Sequence, residues 1–83
     1  MEIKILGIGC ANCQRLERIA REAAAEMGVE ATFDHVTDMR KIMTYAILGT
    51  PGLVIDGKVV SSGRVPTKAE VSTWIANAAM AEG

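Results

Sequence analysis

The sequence predicts an α/β domain with element order β-α-β-α-β-β-α, a four-stranded mixed sheet and helices on both faces. Three observations point there. Apolar residues recur every second position in short runs and every three to four positions in longer ones, in turn along the chain. An Asp-Gly pair, Asp56-Gly57, separates two late apolar runs. A Thr-x-x-Glu signature, Thr67 to Glu70, precedes the last apolar stripe.

Met1 to Gly7, "MEIKILG", carries Ile3 and Ile5 with polar partners and then Leu6. Little of it is charged, so it reads as a central strand. Gly7 and Gly9 loosen the backbone before the period changes. From Ala11 to Met27, the residues Leu16, Ile19, Ala20, Ala23 and Met27 share one helical face. The pairs Glu17/Arg21 and Arg18/Glu22 stand four apart on the other side, and Gly28 supplies a stop. Val29 to Val36 alternates Val29, Ala31 and Phe33 with Glu30, Thr32 and Asp34, a second strand.

Thr37 and Asp38 place side-chain oxygens at the start of a second helix. Met39, Ile42, Met43 and Ala46 form its expected apolar stripe, and Gly49 its expected end. Leu53 to Ile55 and Val59 to Val60 then flank Asp56-Gly57, the residue pair that a tight type I′ hairpin requires. Thr67 and Glu70, with Pro66 ahead of them, open a third helix that buries Val71, Trp74, Ile75 and Ala78. A helix between the first two strands implies a parallel pair with a right-handed crossover. The four-stranded sheet needs cover on both faces, which three helices can give.

Composition narrows the function. Eighty-three residues suit one domain, residues 1–83, and 49% hydrophobic against 23% charged is globular composition. Lys+Arg 9 against Asp+Glu 10, with aromatics at 4%, gives neither a basic footprint nor stacking platforms, so no nucleic-acid partner is expected. No stretch reaches the roughly 20 apolar residues of a membrane helix. Met1 reads as a native start, and Ile3 to Ile8 is too short for a signal peptide, so the expected location is cytoplasmic. In that compartment two thiols point to catalysis or metal binding rather than a structural staple.

Both cysteines, Cys10 and Cys13, lie in "GIGCANCQ", where the first strand becomes the first helix. The free amides and dipole of a helix N-terminus favour a thiolate at Cys10, and Cys13 falls one turn along within bonding reach. Cys10 would attack a disulfide and Cys13 would resolve the mixed disulfide. Gly7 and Gly9 would let a partner chain approach the sulfur. The loop holding Thr50-Pro51 should lie beside the end of the first strand, leaving the Thr50 backbone free to pair with an extended substrate.

The residues "GIGCANC", "VTD" at 36 to 38, "TPGLVIDGKVV" at 50 to 60 and "GRVP" at 63 to 66 run in the order of a known group and span nearly the whole chain. The sequence resembles the small thioredoxin-like proteins called redox-active disulfide protein 2, which have a minimal thioredoxin fold. That resemblance implies Cys10 as nucleophile, Cys13 as resolving thiol and Pro51 as a cis-proline, with Gly9, Ala11, Asn12, Thr50 and Pro51 meeting the substrate. It implies no cofactor beyond a Cys10–Cys13 redox disulfide. It also implies protein disulfide partners, an upstream donor of the thioredoxin-reductase type, and a monomer. Larger thioredoxins carry Trp before the first cysteine and Gly-Pro between the pair; here those places hold Gly9 and Ala11-Asn12.

Other readings stand beside this one. "CANC" also resembles the heavy-metal-associated domains, and two thiolates suit Cu(I). Those domains have Met where this chain has Ile8, and they follow a β-α-β-β-α-β order. A non-catalytic redox sensor is a third reading. His35 reads as an exposed strand-end residue, Met39 and Met43 as helix core, Tyr45 as partly buried packing, and Arg64 and Lys58 as solvated charges.

Overall fold

The computed structural model describes residues 1–8 and 11–82; the expectations for Gly9 and Cys10 lie outside the described residues. The elements are β1 (Glu2–Leu6), α1 (Ala11–Glu26), β2 (Thr32–Val36), α2 (Met39–Ile42), β3 (Gly52–Ile55), β4 (Lys58–Ser62) and α3 (Lys68–Glu82). The strands form one sheet in the order β2-β1-β3-β4, so β1 is central, as its apolar content foretells. β1 pairs parallel with β2 and antiparallel with β3, and β3 pairs antiparallel with β4.

The alternation of side chains across the strands sorts the interior into two halves. Ile3 and Ile5 of β1 and Leu53 and Ile55 of β3 face α1 and α3, meeting Cys13, Leu16, Ala20, Ala23, Val71 and Ile75. Leu6, Val36 and Val54 point the other way, toward Ile42 of α2, with Tyr45, Ile47 and Val59 packed around them. Both α1 and α3 lean on each other over the first half. Lys68 Nζ, 2.6 Å from Glu26 Oε2, ties the start of α3 to the end of α1.

The local signals act as their chemistry requires. Asp56 (φ 49°) and Gly57 (φ 82°) both take the left-handed backbone of a type I′ turn. Asp56 Oδ1 also accepts from the Glu2 amide at 2.7 Å, fastening the hairpin to the start of β1. Gly28, at φ 67°, ends α1, with the Val29 amide donating to Ala24 O and the Gly28 amide to Ala25 O. Glu70 Oε1 accepts from the Thr67 amide at 3.0 Å, and the Glu70 amide donates to Thr67 Oγ1 at 3.2 Å, a reciprocal cap. Arg64 is exposed, as expected of a solvated charge, and also grips the same carboxylate through two bonds of 3.0 and 2.7 Å.

The second helix departs most from expectation. A stripe from Met39 to Ala46 predicts about two turns, yet α2 is a single turn of four residues. Asp38 caps it by accepting from the Arg40 amide at 2.9 Å. The amides of Ile42 and Met43 reach back four residues, those of Thr44 and Tyr45 only three, and that of Ile47 only two. The chain winds progressively tighter until it is no longer a helix. Thr44 Oγ1 donates to Lys41 O at 2.6 Å, engaging a carbonyl that a continuing helix would need. Between Asp38 and Thr50 only Ile42 is fully buried, Tyr45 and Ile47 are partly buried, and Met39 and Met43 lie exposed at 47% and 76%.

Candidate active site

The parallel pairing of β1 with β2 and the antiparallel pairing of β1 with β3 bring three chain segments to one end of the sheet. These are the exit of β1 at Gly7, the first turn of α1, and the Thr50-Pro51 entry to β3. Cys13 is the third residue of α1 and has no exposed surface, its sulfur being part of the core between β1 and α1. Gly7 supplies the space for it. A methyl group at Gly7 would overlap Cys13 Sγ and stand 3.8 Å from Thr50 Cβ. These contacts place Thr50 beside the strand end and the sulfur, as the topology foretells.

The Thr50–Pro51 peptide is cis, with Pro51 buried and Thr50 exposed. The Gly63 amide donates to Pro51 O at 3.0 Å, which fixes the loop to the end of β4. Ala11 and Asn12, the residues between the cysteines, are exposed at the start of α1. Cys13, Ala11, Asn12, Thr50 and Pro51 thus collect at one end of the sheet. Gly9 and Cys10, expected there too, lie outside the described residues.

Three features escaped the sequence reading. His35 is half-buried rather than freely exposed, and its Nε2 lies 3.0 Å from Gly7 O. A carbonyl only accepts, so Nε2 carries the hydrogen and donates it. His35 shares the strand parity of Phe33, which packs on the α1 side, and that alternation was the signal available for it. Next, Met39, Met43 and Leu48, the last fully exposed, border a groove of about 380 Å³ that ends at Gly49 and Thr50. A larger hollow of about 660 Å³ lies by Met1, Arg21 and Phe33 and is lined by no cysteine, so size does not mark the site. Finally, Lys4 is held above its ordinary pKa, first by its hydrogen bond to Tyr45 and then by Glu2.

This arrangement suits chemistry at a sulfur. A thiol without exposed surface cannot meet a bulky partner directly. It can react with a neighbouring sulfur on its own chain. The groove beside Thr50 presents flexible, polarisable methionines, which accommodate varied apolar surfaces. Among the described residues, no helix is long and apolar enough to cross a membrane.

Comparison with known proteins gives concordant results. Residues 1–76 match a family described as "Thioredoxin domain". A protein named "Thioredoxin" from Methanothermobacter thermautotrophicus is 45% identical over 71 residues, covering 86% of this chain and 92% of that one. Another of the same name from Methanocaldococcus jannaschii is 32% identical over 69 residues, covering 83% and 79%.

Proposed function

From a chain that belongs to the thioredoxin domain family, we propose a thiol–disulfide oxidoreductase that works through Cys10 and Cys13 on disulfides of protein partners. The observation that carries the reading is the buried Cys13 sulfur in the first turn of α1, packed against Gly7 and adjoining the Thr50-Pro51 loop. A buried second sulfur fits the resolving role and leaves the attack on a substrate to Cys10.

The Cys10 thiolate attacks one sulfur of a substrate disulfide. That bond breaks, the departing substrate thiolate takes a proton from solvent, and a Cys10–substrate disulfide remains. Cys13, as thiolate, then attacks the Cys10 sulfur and expels the second substrate thiolate. The substrate has gained two electrons, and the protein holds a Cys10–Cys13 disulfide. A donor of the thioredoxin-reductase type returns two electrons to complete the cycle. Thr50, Pro51, Ala11 and Asn12 contact the substrate, as does Gly9, the residue before Cys10 in the sequence, and Thr50 offers its backbone to an extended segment. The methionine-bordered groove next to Thr50 supports protein rather than small-molecule partners. The protein acts as one domain and as a monomer in the cytoplasm.

The test is trapping. Cys13→Ser should accumulate mixed disulfides on Cys10 when offered oxidised insulin, whereas Cys10→Ser should accumulate almost none. The reverse pattern overturns the roles. If the wild type fails to reduce insulin with dithiothreitol as donor while it binds Cu(I) tightly, the protein is a soft-metal carrier instead.

A further inference from the structure

Gly7 is bonded to consecutive residues of β2 through both of its backbone polar groups, which belong to successive peptide units. Its amide donates to Val36 O at 3.0 Å, an ordinary extension of the β1–β2 ladder. Its carbonyl accepts from a side chain, His35 Nε2–H, also at 3.0 Å. The same glycine is the wall against which Cys13 Sγ packs, too close to admit even one more carbon. His35 and Cys13 both belong to the α1 side of the sheet, by strand parity for the first and by core packing for the second. A hydrogen bond from the edge strand therefore reaches the sulfur through a single residue.

We propose that His35 is a positioning residue for the thiol pair: by holding the Gly7 carbonyl, it fixes the backbone that Cys13 Sγ packs against, three residues ahead of Cys10 in the sequence. This rests on the thiol–disulfide reading above. Ring closure between two sulfurs depends on how often they meet in bonding geometry. Gly7 directly follows β1, stands three residues before Cys10 in the sequence, and is the neighbour of Cys13 Sγ. Freeing its carbonyl loosens both sides of the reacting pair at once. The Val36 bond alone holds the Leu6–Gly7 peptide unit and leaves the Gly7–Ile8 unit, which carries the carbonyl, to turn about the Gly7 backbone dihedrals. The disulfide then becomes easier to reduce, because the encounter that forms it is less favoured.

The experiment is a redox titration against dithiothreitol. Cys10 and Cys13 together give two electrons and two protons to oxidised dithiothreitol, which becomes the dithiol. His35→Leu should lower the equilibrium constant for closing Cys10–Cys13 by about 3- to 10-fold, the range that one neutral hydrogen bond supports. A tenfold fall is about 30 mV for a two-electron couple. His35→Gln places an amide N–H at similar reach and should stay within about twofold of wild type. A purely structural role for the ring would lower the melting temperature of both variants and leave the potential of both unmoved, and that outcome overturns the proposal. Equal shifts in Leu and Gln variants also overturn it. Imidazole ¹⁵N shifts of the wild type keep the question decidable if His35→Leu does not fold. They should report an Nε2–H ring in both the reduced and the oxidised protein; an Nδ1–H tautomer refutes the bond. A wild-type protein that never closes a disulfide removes the functional reading itself and this proposal with it. A normal wild-type titration with an unshifted, folded His35→Leu removes this proposal alone.

Discussion

The two faces of the sheet are built to different standards. On one side, α1 and α3 seal Ile3, Ile5, Leu16, Leu53, Val71 and Ile75 completely from solvent. On the other, a single turn of helix and the strap that follows it cover Leu6, Val36 and Val54, leaving Met39, Met43 and Leu48 in water. The site lies where the two meet: Cys13 belongs to the sealed side, and Thr50 ends the groove of the open one. The difference separates two duties. Packing holds the sulfur still, and loose cover leaves apolar surface available for a partner.

The largest effects should come from the sealed side. Leu16→Ala should cost about 2–5 kcal/mol, because α1 is held against α3 and the void cannot collapse. Met43→Ala should change stability by less than about 0.5 kcal/mol. Urea denaturation of the two variants checks the contrast, and equal losses would erase the distinction between the faces.

At the seam, Gly7→Ala should lose about 1–3 kcal/mol by forcing a carbon onto the Cys13 sulfur. The same measurement decides it; a neutral outcome would mean that the sulfur has room to retreat.

A smaller effect belongs to the rim of α3. The Glu70 carboxyl is lowered from 4.5 to about 2, first by its hydrogen bonds to Arg64 and then by the Thr67 amide. A carboxyl lowered by folding stabilises fully above its unfolded value, and the contribution fades as pH falls from about 4.5 toward 2. The stability gap between wild type and Glu70→Gln should therefore narrow over that window. Glu70 is exposed to solvent and screened, so the gap is small even at neutral pH. A gap independent of pH would show that the ion pair contributes nothing.

Where a few residues fully determine a local geometry, the fold was legible in the sequence. Asp56-Gly57 specifies its turn because both residues must take positive φ, and Thr67 with Glu70 specifies a helix start because each satisfies the other's amide. The end of α2 was not legible. Met39, Ile42, Met43 and Ala46 have helical spacing, but the exposed part of the sheet on that side is small, and one turn carrying Ile42 covers it. Tertiary supply of apolar surface, not periodicity, decided the length. His35 was missed for a related reason. Strand alternation marks the face it shares with Phe33, but its partner is a backbone carbonyl, and no sequence pattern marks that bond.

The fit between Gly7 and Cys13 also constrains how such a chain can change over time. A residue with a side chain at position 7 costs stability while the sulfur stays, and removing the sulfur lifts most of that cost. Substitutions at positions 7 and 13 are thus tied to one another. A descendant that abandoned the second thiol for a smaller residue would be free to drift at the first position, and a larger residue at 7 would betray a lost thiol at 13.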